Sequence, residues 1–249
     1  MSRHEAPISD LHSKAAALNA DYRHHSAIAV LARALHDPEV GPLALVSSFG
    51  AESVVLLHMV ALAQPGTPVI FIETGMLFTE TLVYQQELAV RLGLRDIRIV
   101  RPDGAEARAQ DPAATLNQTD PDACCALRKT VPLNRALAGF DGWITGRKRY
   151  QGAARAALDF FEVEEGTGRL KVNPLAHWQP GDARTYIEEN RLPRHPLVAQ
   201  GYPSIGCMPC TSPVAPGEDA RAGRWKGRDK TECGIHMVNG KFVKQGEST

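Results

Sequence analysis

Pro42-Leu43-Ala44-Leu45-Val46-Ser47-Ser48-Phe49-Gly50-Ala51-Glu52-Ser53-Val54-Val55-Leu56-Leu57-His58-Met59-Val60-Ala61-Leu62 reads as a buried strand, a polar turn and a buried helix. The run after Pro42 is too short for a free helix, whereas Val54 to Leu62 is long enough for one. The unit then recurs. Pro68-Val69-Ile70-Phe71-Ile72 is a second buried strand, Glu73-Thr74-Gly75 its turn, and Thr79 to Leu92 a helix stopped by Gly93. Asp96-Ile97-Arg98-Ile99-Val100 is a third strand and Gly142-Trp143-Ile144-Thr145-Gly146 a fourth. β-branched runs alternating with amphipathic helices predict an α/β fold with a doubly wound, mainly parallel sheet.

The flanks are read from the same periodicities. Ile8 to Leu35 is expected to be helical, a packing appendage or an oligomer contact, so a homo-oligomer is one expectation. Pro102 to Pro121 carries little pattern. A helix is expected from Ala123 to Ala138, capped by Asp122. Phe160 to Glu164 and Leu170 to Asn173 read as short strands, and Asp182 to Asn190 as a helix. From Pro193 onward prolines and glycines dominate. The expected division is an N-terminal helical extension (1–40), an α/β domain (41–213) and a flexible C-terminal tail (214–249).

With 249 residues and 43% apolar residues, the chain can bury a core of its own. Lys and Arg total 28, as do Asp and Glu, so no global field points to nucleic acid or an anionic membrane surface. The N-terminal stretch is interrupted by charge, unlike a signal peptide, and nothing approaches the roughly 20 apolar residues of a membrane span. A cytoplasmic protein is expected.

In a parallel sheet, ligands bind beyond the C-terminal strand ends. Ser47, Ser48, Gly50, Glu52 and Ser53 lie at one such end, where hydroxyls, backbone N–H groups and a helix N-terminus suit anionic oxygens. No GxxxxGK[ST] sequence is present. The turn resembles the modified P-loop of the adenine nucleotide α-hydrolase-like superfamily, and Glu73-Thr74-Gly75 resembles that superfamily's second signature. The resemblance implies a Rossmann-like fold with an adenine nucleotide across the sheet edge, contacted by Thr74 and Gly75. Phe49 and Ala51 make this turn less polar than in the pyrophosphatases of that superfamily, which argues against cleavage between the α and β phosphates of ATP.

Asp120-Pro121-Asp122-Ala123-Cys124-Cys125-Ala126-Leu127-Arg128-Lys129 holds two of the five cysteines; Cys207-Met208-Pro209-Cys210 holds two more. Four thiolates in two clusters suit zinc, an iron–sulfur cluster or redox dithiols. Adjacent cysteines are awkward for a single tetrahedral ion but can reach different corners of a cubane. Lys129, at i+4 from Cys125, shares its helix face. Arg128 is expected to be an exposed neighbour.

The fifth cysteine lies in Thr231-Glu232-Cys233-Gly234-Ile235-His236, with Lys230 and His236 as flanking groups able to favour a thiolate. Arg221 and Arg224 could meet an anion as a pair. The ordered set closely resembles the assimilatory adenylyl-sulfate reductases of bacteria from Leu43 to His236. It comprises Cys124 to Lys129, Thr145-Gly146 with Arg149, Gln151 and Arg155, Ser204 to Thr211, Arg221 with Arg224-Trp225, and Glu232 to His236.

That resemblance implies a 4Fe–4S cluster on Cys124, Cys125, Cys207 and Cys210, with Cys233 as nucleophile and Lys129 and His236 as its catalytic partners. The phosphosulfate of adenosine 5'-phosphosulfate (APS) would face Lys129, Arg149, Arg155, Arg221 and Arg224. Thioredoxin, or glutaredoxin in its place, would release sulfite from a Cys233 S-sulfonate, in sulfate assimilation and cysteine biosynthesis. Reductases that prefer the 3'-phosphorylated nucleotide (PAPS) share the fold and tail and usually lack the cluster cysteines. PAPS or dual use is the alternative within the enzyme class; a non-catalytic iron–sulfur nucleotide sensor is the alternative outside it.

Overall fold

The computed structural model describes residues 8–152, 155–164, 166–228, 230, 232 and 234–236. Among them, strands β1 (Leu43–Ser47), β2 (Val69–Ile72), β3 (Ile97–Val100), β4 (Gly142–Ile144), β5 (Phe161–Glu164) and β6 (Arg169–Val172) form one sheet in the order β3-β2-β1-β4-β6-β5. The pairs β3–β2, β2–β1, β1–β4 and β4–β6 are parallel, and β5 closes one edge as an antiparallel hairpin with β6. The sheet is therefore doubly wound and mainly parallel, as expected. Its strand order reverses between β1 and β4, the topological switch point where ligands bind such sheets.

Burial follows from composition. The helix α3 (Ser53–Ala63) is apolar on nearly every face and buries Val54, Val55, Leu56, Leu57, Met59 and Val60. A helix apolar all round has to be covered on more than one side. It packs against a helix before it and one late in the chain. The N-terminal stretch is two helices, α1 (Ile8–Tyr22) and α2 (Ala27–His36), divided where Ser26 caps α2 by accepting from Ala29 N. Ala15, Leu18, Tyr22, Val30, Leu31 and Ala34 join the main core. On the other face, Ala44, Ile70, Leu133, Leu137 and Trp143 form a smaller core.

The helix α4 (Thr79–Arg91) connects β2 to β3. The polar stretch after β3 contains α5 (Gly104–Gln110), capped by Asp103, and α6 (Leu116–Thr119). The cysteine helix starts earlier than expected: α7 spans Pro121–Cys125, and its cap is Asp120, not Asp122. Asp120 Oδ1 accepts from Asp122 N at 3.1 Å and Ala123 N at 2.9 Å, with Pro121 at the first helical turn where its missing N–H costs nothing. The winding widens to a π turn over Ala126–Thr130 before α8 (Val131–Ala136). Pro132 supplies the reason. In a continuous α-helix its ring would clash with the Arg128 carbonyl and leave that carbonyl without a donor, and a wider turn relieves both. The helix α9 (Asp182–Glu189) packs on α3, and the chain then runs through Pro196–Gln200 into the loop that carries Cys207. Among the described residues, no helix is long and apolar enough to cross a membrane.

Candidate active site

A cavity of about 300 Å³ opens at the switch point. One wall is made by the residues after β1 and β4, the other by Pro203 to Cys207 and Asp219 to Trp225.

The β1 turn is held by its own polar groups. Phe49 N donates to Ser47 Oγ at 3.2 Å, and Gly50 N donates to Ser53 Oγ at 2.9 Å. Phe49 takes a left-handed φ of 48° and sinks its ring into the core, edge-on to Phe71 at 5.1 Å. A left-handed non-glycine residue costs roughly 1–2 kcal/mol, offset here by burying an aromatic ring. The residue that makes the turn less glycine-rich is thus its anchor. Opposite, Lys148 Nζ donates to Glu52 Oε2 at 2.8 Å and ties the β4 turn to the β1 turn across the crevice.

The β4 turn brings cations that were not singled out as site residues from the sequence. Arg147 pairs with Glu162 and donates to Asn173 Oδ1 at 3.1 Å, beside the Thr145 hydroxyl. Burial pulls its guanidinium down from the ordinary arginine value, and Glu162 works against that. Position beyond a β-strand's C-terminal end was the available signal for Arg147 and Lys148.

Ser47, Ser48, Gly50, Glu52, Ser53, Thr74, Lys129, Arg155, Arg221 and Arg224 all line the cavity. Gly75 and Arg149 lie outside the lining. Arg149 instead donates from Nε to the Leu158 carbonyl at 2.5 Å and pairs with Asp159 at 3.9 Å. Arg155 is buried and donates from Nε and Nη2 to the two carboxylate oxygens of Glu232, both at 2.6 Å. Arg221 Nη2 approaches the same carboxylate at 3.6 Å. Arg224 lies over the Trp225 ring, 4.5 Å from its centroid, and its Nη1 donates to Ser204 Oγ at 3.4 Å.

The four described thiols form a second layer beside this cavity. Cys124 and Cys125 are buried on α7, Cys207 is buried and lines the cavity, and Cys210 is half-buried. None is in a disulfide. The loop of Cys207 is held where Met208 N donates to the Met76 carbonyl at 2.8 Å and Thr211 Oγ1 donates to the Cys207 carbonyl at 2.9 Å. Polar groups converge on the sulfurs. Thr74 Oγ1 lies 3.3 Å from Cys207 Sγ, Arg228 Nη1 3.8 Å from Cys210 Sγ, and Lys230 Nζ 3.6 Å from Cys125 Sγ.

Arg128 is not an exposed neighbour. It is nearly buried, pairs with Asp111 at 2.8 Å and donates to the Thr74 carbonyl at 3.2 Å. Burial pushes the Cys124 thiol up, Arg128 opposes the shift, and Cys207 and Cys210 add to it. The π turn that follows the cysteines carries both Arg128 and Lys129, so the cation on the thiols and the cation on the cavity are adjacent in sequence. Lys230, expected beside Cys233, pairs with Asp122 as well as Cys125.

Among the described residues, no group of three or more His, Cys, Asp or Glu side chains closes on one metal ion. A lone tetrahedral ion needs such a group; a cubane does not, since its iron corners stand apart and each takes one thiolate. Four thiols on two segments, with three cations and a hydroxyl turned toward them, fit such a cluster. Cys233 and the side chain of His236 lie outside the described residues. Glu232 and Ile235, on either side of Cys233 in sequence, line the cavity, and the turn Gly234–His236 packs against α7 and the π turn.

A crevice at the switch point of a doubly wound sheet, walled by hydroxyls and guanidinium groups, is the architecture of α/β proteins that take nucleotides. The chain belongs to the phosphoadenosine phosphosulfate reductase domain family, whose model matches residues 42–213. It is 48% identical over 225 residues to an adenosine 5'-phosphosulfate reductase of Mesorhizobium japonicum, covering 90% of this chain and 88% of that one. It is also 43% identical to a phosphoadenosine 5'-phosphosulfate reductase of Gloeobacter violaceus, covering 78% and 82%. Among solved structures it resembles the phosphoadenylyl-sulfate reductase of Candida auris, solved as a phosphate complex. The TM-score is 0.68 at 28% identity, over 86% of this chain and 99% of that one. A TM-score of 0.53 at 15% identity to Candida glabrata FMN adenylyltransferase, over 83% and 75%, shows a shared fold.

Proposed function

We propose that this protein is an oxidoreductase of sulfate assimilation that reduces APS to sulfite and AMP with reduced thioredoxin, Cys233 acting as nucleophile. One observation carries the reading: a single cavity gathers the serine turn after β1, Lys129, four arginines, and Glu232 and Ile235 from either side of Cys233. The adenosine would lie over the ends of β1 and β2, with its phosphosulfate toward Arg155, Arg221 and Arg224.

In the first step the Cys233 thiolate attacks the sulfate sulfur. An S–S bond forms, the S–O bond to the α-phosphate breaks, and AMP leaves with the electron pair. The cations lower the repulsion between an incoming thiolate and the anionic sulfate, and they stabilise charge gathering on the phosphate oxygen. In the second step a thioredoxin thiolate attacks Cys233 Sγ, sulfite leaves, and the second thioredoxin thiol resolves the mixed disulfide. Thioredoxin supplies the two electrons. A nucleophile on a C-terminal segment suits both steps, because it has to serve an enclosed site and then an external protein.

Cys124, Cys125, Cys207 and Cys210 would hold the 4Fe–4S cluster. When bound, that group supplies a fixed anionic body beside the cavity. Arg128, Arg228 and Lys230 would balance its charge, and Lys129, next in sequence to Arg128, lines the cavity.

The test is sulfite release from APS by anaerobically purified protein with reduced thioredoxin. Wild-type protein is expected to release sulfite and Cys233→Ser to release none; sulfite from the Ser variant overturns the nucleophile. Absorption spectra check the cluster, and a colourless sample containing zinc overturns it. Dual use of PAPS is the second reading, favoured by the 43% identity to the Gloeobacter reductase. Rates with APS and PAPS at matched concentrations decide between the two.

A further inference from the structure

The bidentate grip of Glu232 on Arg155 assigns this carboxylate a role that the chemistry of Cys233 does not require. Arg155 is 7% exposed, and Arg221 stands beside it in the same lining. Two guanidinium groups facing one carboxylate repel each other, and burial strips part of the hydration that normally stabilises them. Arg221 shows the consequence: burial and then Arg155 pull it below its ordinary value, and Glu232 raises it back in part. Glu232 answers both groups, with two 2.6 Å bonds to Arg155 and a 3.6 Å approach to Arg221. Gln151 Oε1 completes the shell by accepting from Arg155 Nη1 at 2.5 Å. Planar, bidentate guanidinium–carboxylate geometry is also the geometry in which arginine takes a phosphate or sulfate.

We propose that Glu232 is a built-in counter-anion of the substrate site: it occupies Arg155 and Arg221 until the phosphosulfate displaces it. The inference rests on the activity proposed above and deepens it. Glu232 is a positioning residue in this scheme, since it touches the arginines and never the reacting sulfur. By linkage, whatever the carboxylate contributes to holding the arginines is subtracted from the affinity of any anion that replaces it, while a neutral ligand is spared.

The experiment measures binding by calorimetry in the Cys233→Ser background, which blocks turnover, with and without Glu232→Gln. APS is expected to bind about tenfold more tightly to the Gln variant, within the usual range for coupled sites. Adenosine, which carries no anion, is expected to bind both equally. A shape-only role for Glu232 would move the two ligands together. If Glu232→Gln fails to fold, Glu232→Asp serves: it keeps the charge but shortens the reach, and APS is expected to bind it about threefold more tightly. APS affinity that is unchanged or weaker in the variant that folds, or an equal shift for adenosine, overturns the proposal. If wild-type protein releases no sulfite from APS, the proposed activity falls alone. Pyrophosphate as the titrant then decides the role of Glu232: tighter binding to the variant supports it, and unchanged binding overturns it.

Discussion

The cavity's two walls are held by different kinds of force. The wall at the ends of β1 and β4 hangs from a ladder of parallel strands, with Leu43, Ala44, Leu45, Trp143 and Ile144 all buried behind it. The facing wall, from Pro203 to Trp225, is joined by single contacts. Ser212 N donates to the Gly223 carbonyl at 2.8 Å, Trp225 N to the Cys210 carbonyl at 3.1 Å, and Thr211 bridges Arg224. The first wall draws its position from the hydrophobic core, the second from hydrogen bonds, thiols and ion pairs. Damage to the first is therefore expected to appear as lost stability, and damage to the second as lost activity.

The largest effect is expected where Arg155, carried after β4, meets Arg221 of the facing wall through Glu232. Arg155→Ala removes a buried cation from the proposed anion site and leaves Glu232 with Arg221 alone. Sulfite release from APS is expected to fall on the order of 10²–10³-fold, the cost of losing one preorganised charge partner. Thermal stability is expected to drop much less, because Glu232 retains some water. A variant that loses its fold but keeps its specific activity would remove the contrast between the walls.

Two glycines probe the same contrast. A Cβ on Gly142 would stand 2.5 Å from the Leu170 carbonyl oxygen and 2.8 Å from Leu43 Cδ2, between neighbouring strands. Gly142→Ala is expected to cost about 3 kcal/mol in urea denaturation, the upper end for overpacking, with the activity of the folded fraction preserved. A Cβ on Gly223 would stand 2.0 Å from the Ser212 carbonyl oxygen. Gly223→Ala is expected to push Arg221 and Arg224 out of place, cutting activity by at least about tenfold with a smaller change in the urea midpoint. The reverse ranking would show that the second wall also supports the core.

His195 tests where the second wall is rooted. It is 1% exposed, bonded to Thr81 Oγ1 at 3.0 Å, and its Nδ1 accepts from Leu197 N at 3.2 Å. Burial brings its pKa from 6.5 down to about 4. The native state thus resists a proton that the unfolded chain accepts. Stability is full above pH 6.5 and is lost as the pH falls from there toward 4. Linkage makes the loss about 2 kcal/mol between pH 7 and pH 5. Urea denaturation at the two pH values should show it, and His195→Gln should abolish that part of the slope.

The same division explains what could be read from the sequence. The strands of the first wall announce themselves as short apolar runs, each ending in a polar turn, because a parallel strand buried on both faces has no other composition available. The cysteine pairs and the arginines were legible as residue types. Their partners were not, since Arg155 and Glu232 are 77 residues apart and Lys230 and Asp122 are 108 apart. No local periodicity encodes such a pair. Arg128 was misplaced for this reason: its burial depends on Asp111 and the Thr74 carbonyl, both remote from the helix that carries it. The π turn is a different case, because Pro132 was a local signal for it.

Asp120 offers the finest test of how the walls meet. Its side chain caps α7, so it sets where Cys124 and Cys125 stand before anything binds them. Asp103 caps α5 in the same way, accepting from Ala105 N at 2.8 Å and Glu106 N at 2.9 Å, and α5 carries no thiol. Losing either cap is expected to lower stability by a similar, modest amount. Only one of the two should loosen the thiols. Fraying the first turn of α7 exposes Cys124 and Cys125 and slackens the hold of Lys230 on Asp122 and Cys125, whereas fraying α5 leaves all four sulfurs where they were. Reaction of metal-free protein with a thiol reagent is therefore expected to quicken in Asp120→Ala and to match wild type in Asp103→Ala. Equal rates in the two variants would mean that the cysteines are positioned by the loop of Cys207 and the tail rather than by their own helix, and the boundary between the walls would have to be drawn on the far side of α7.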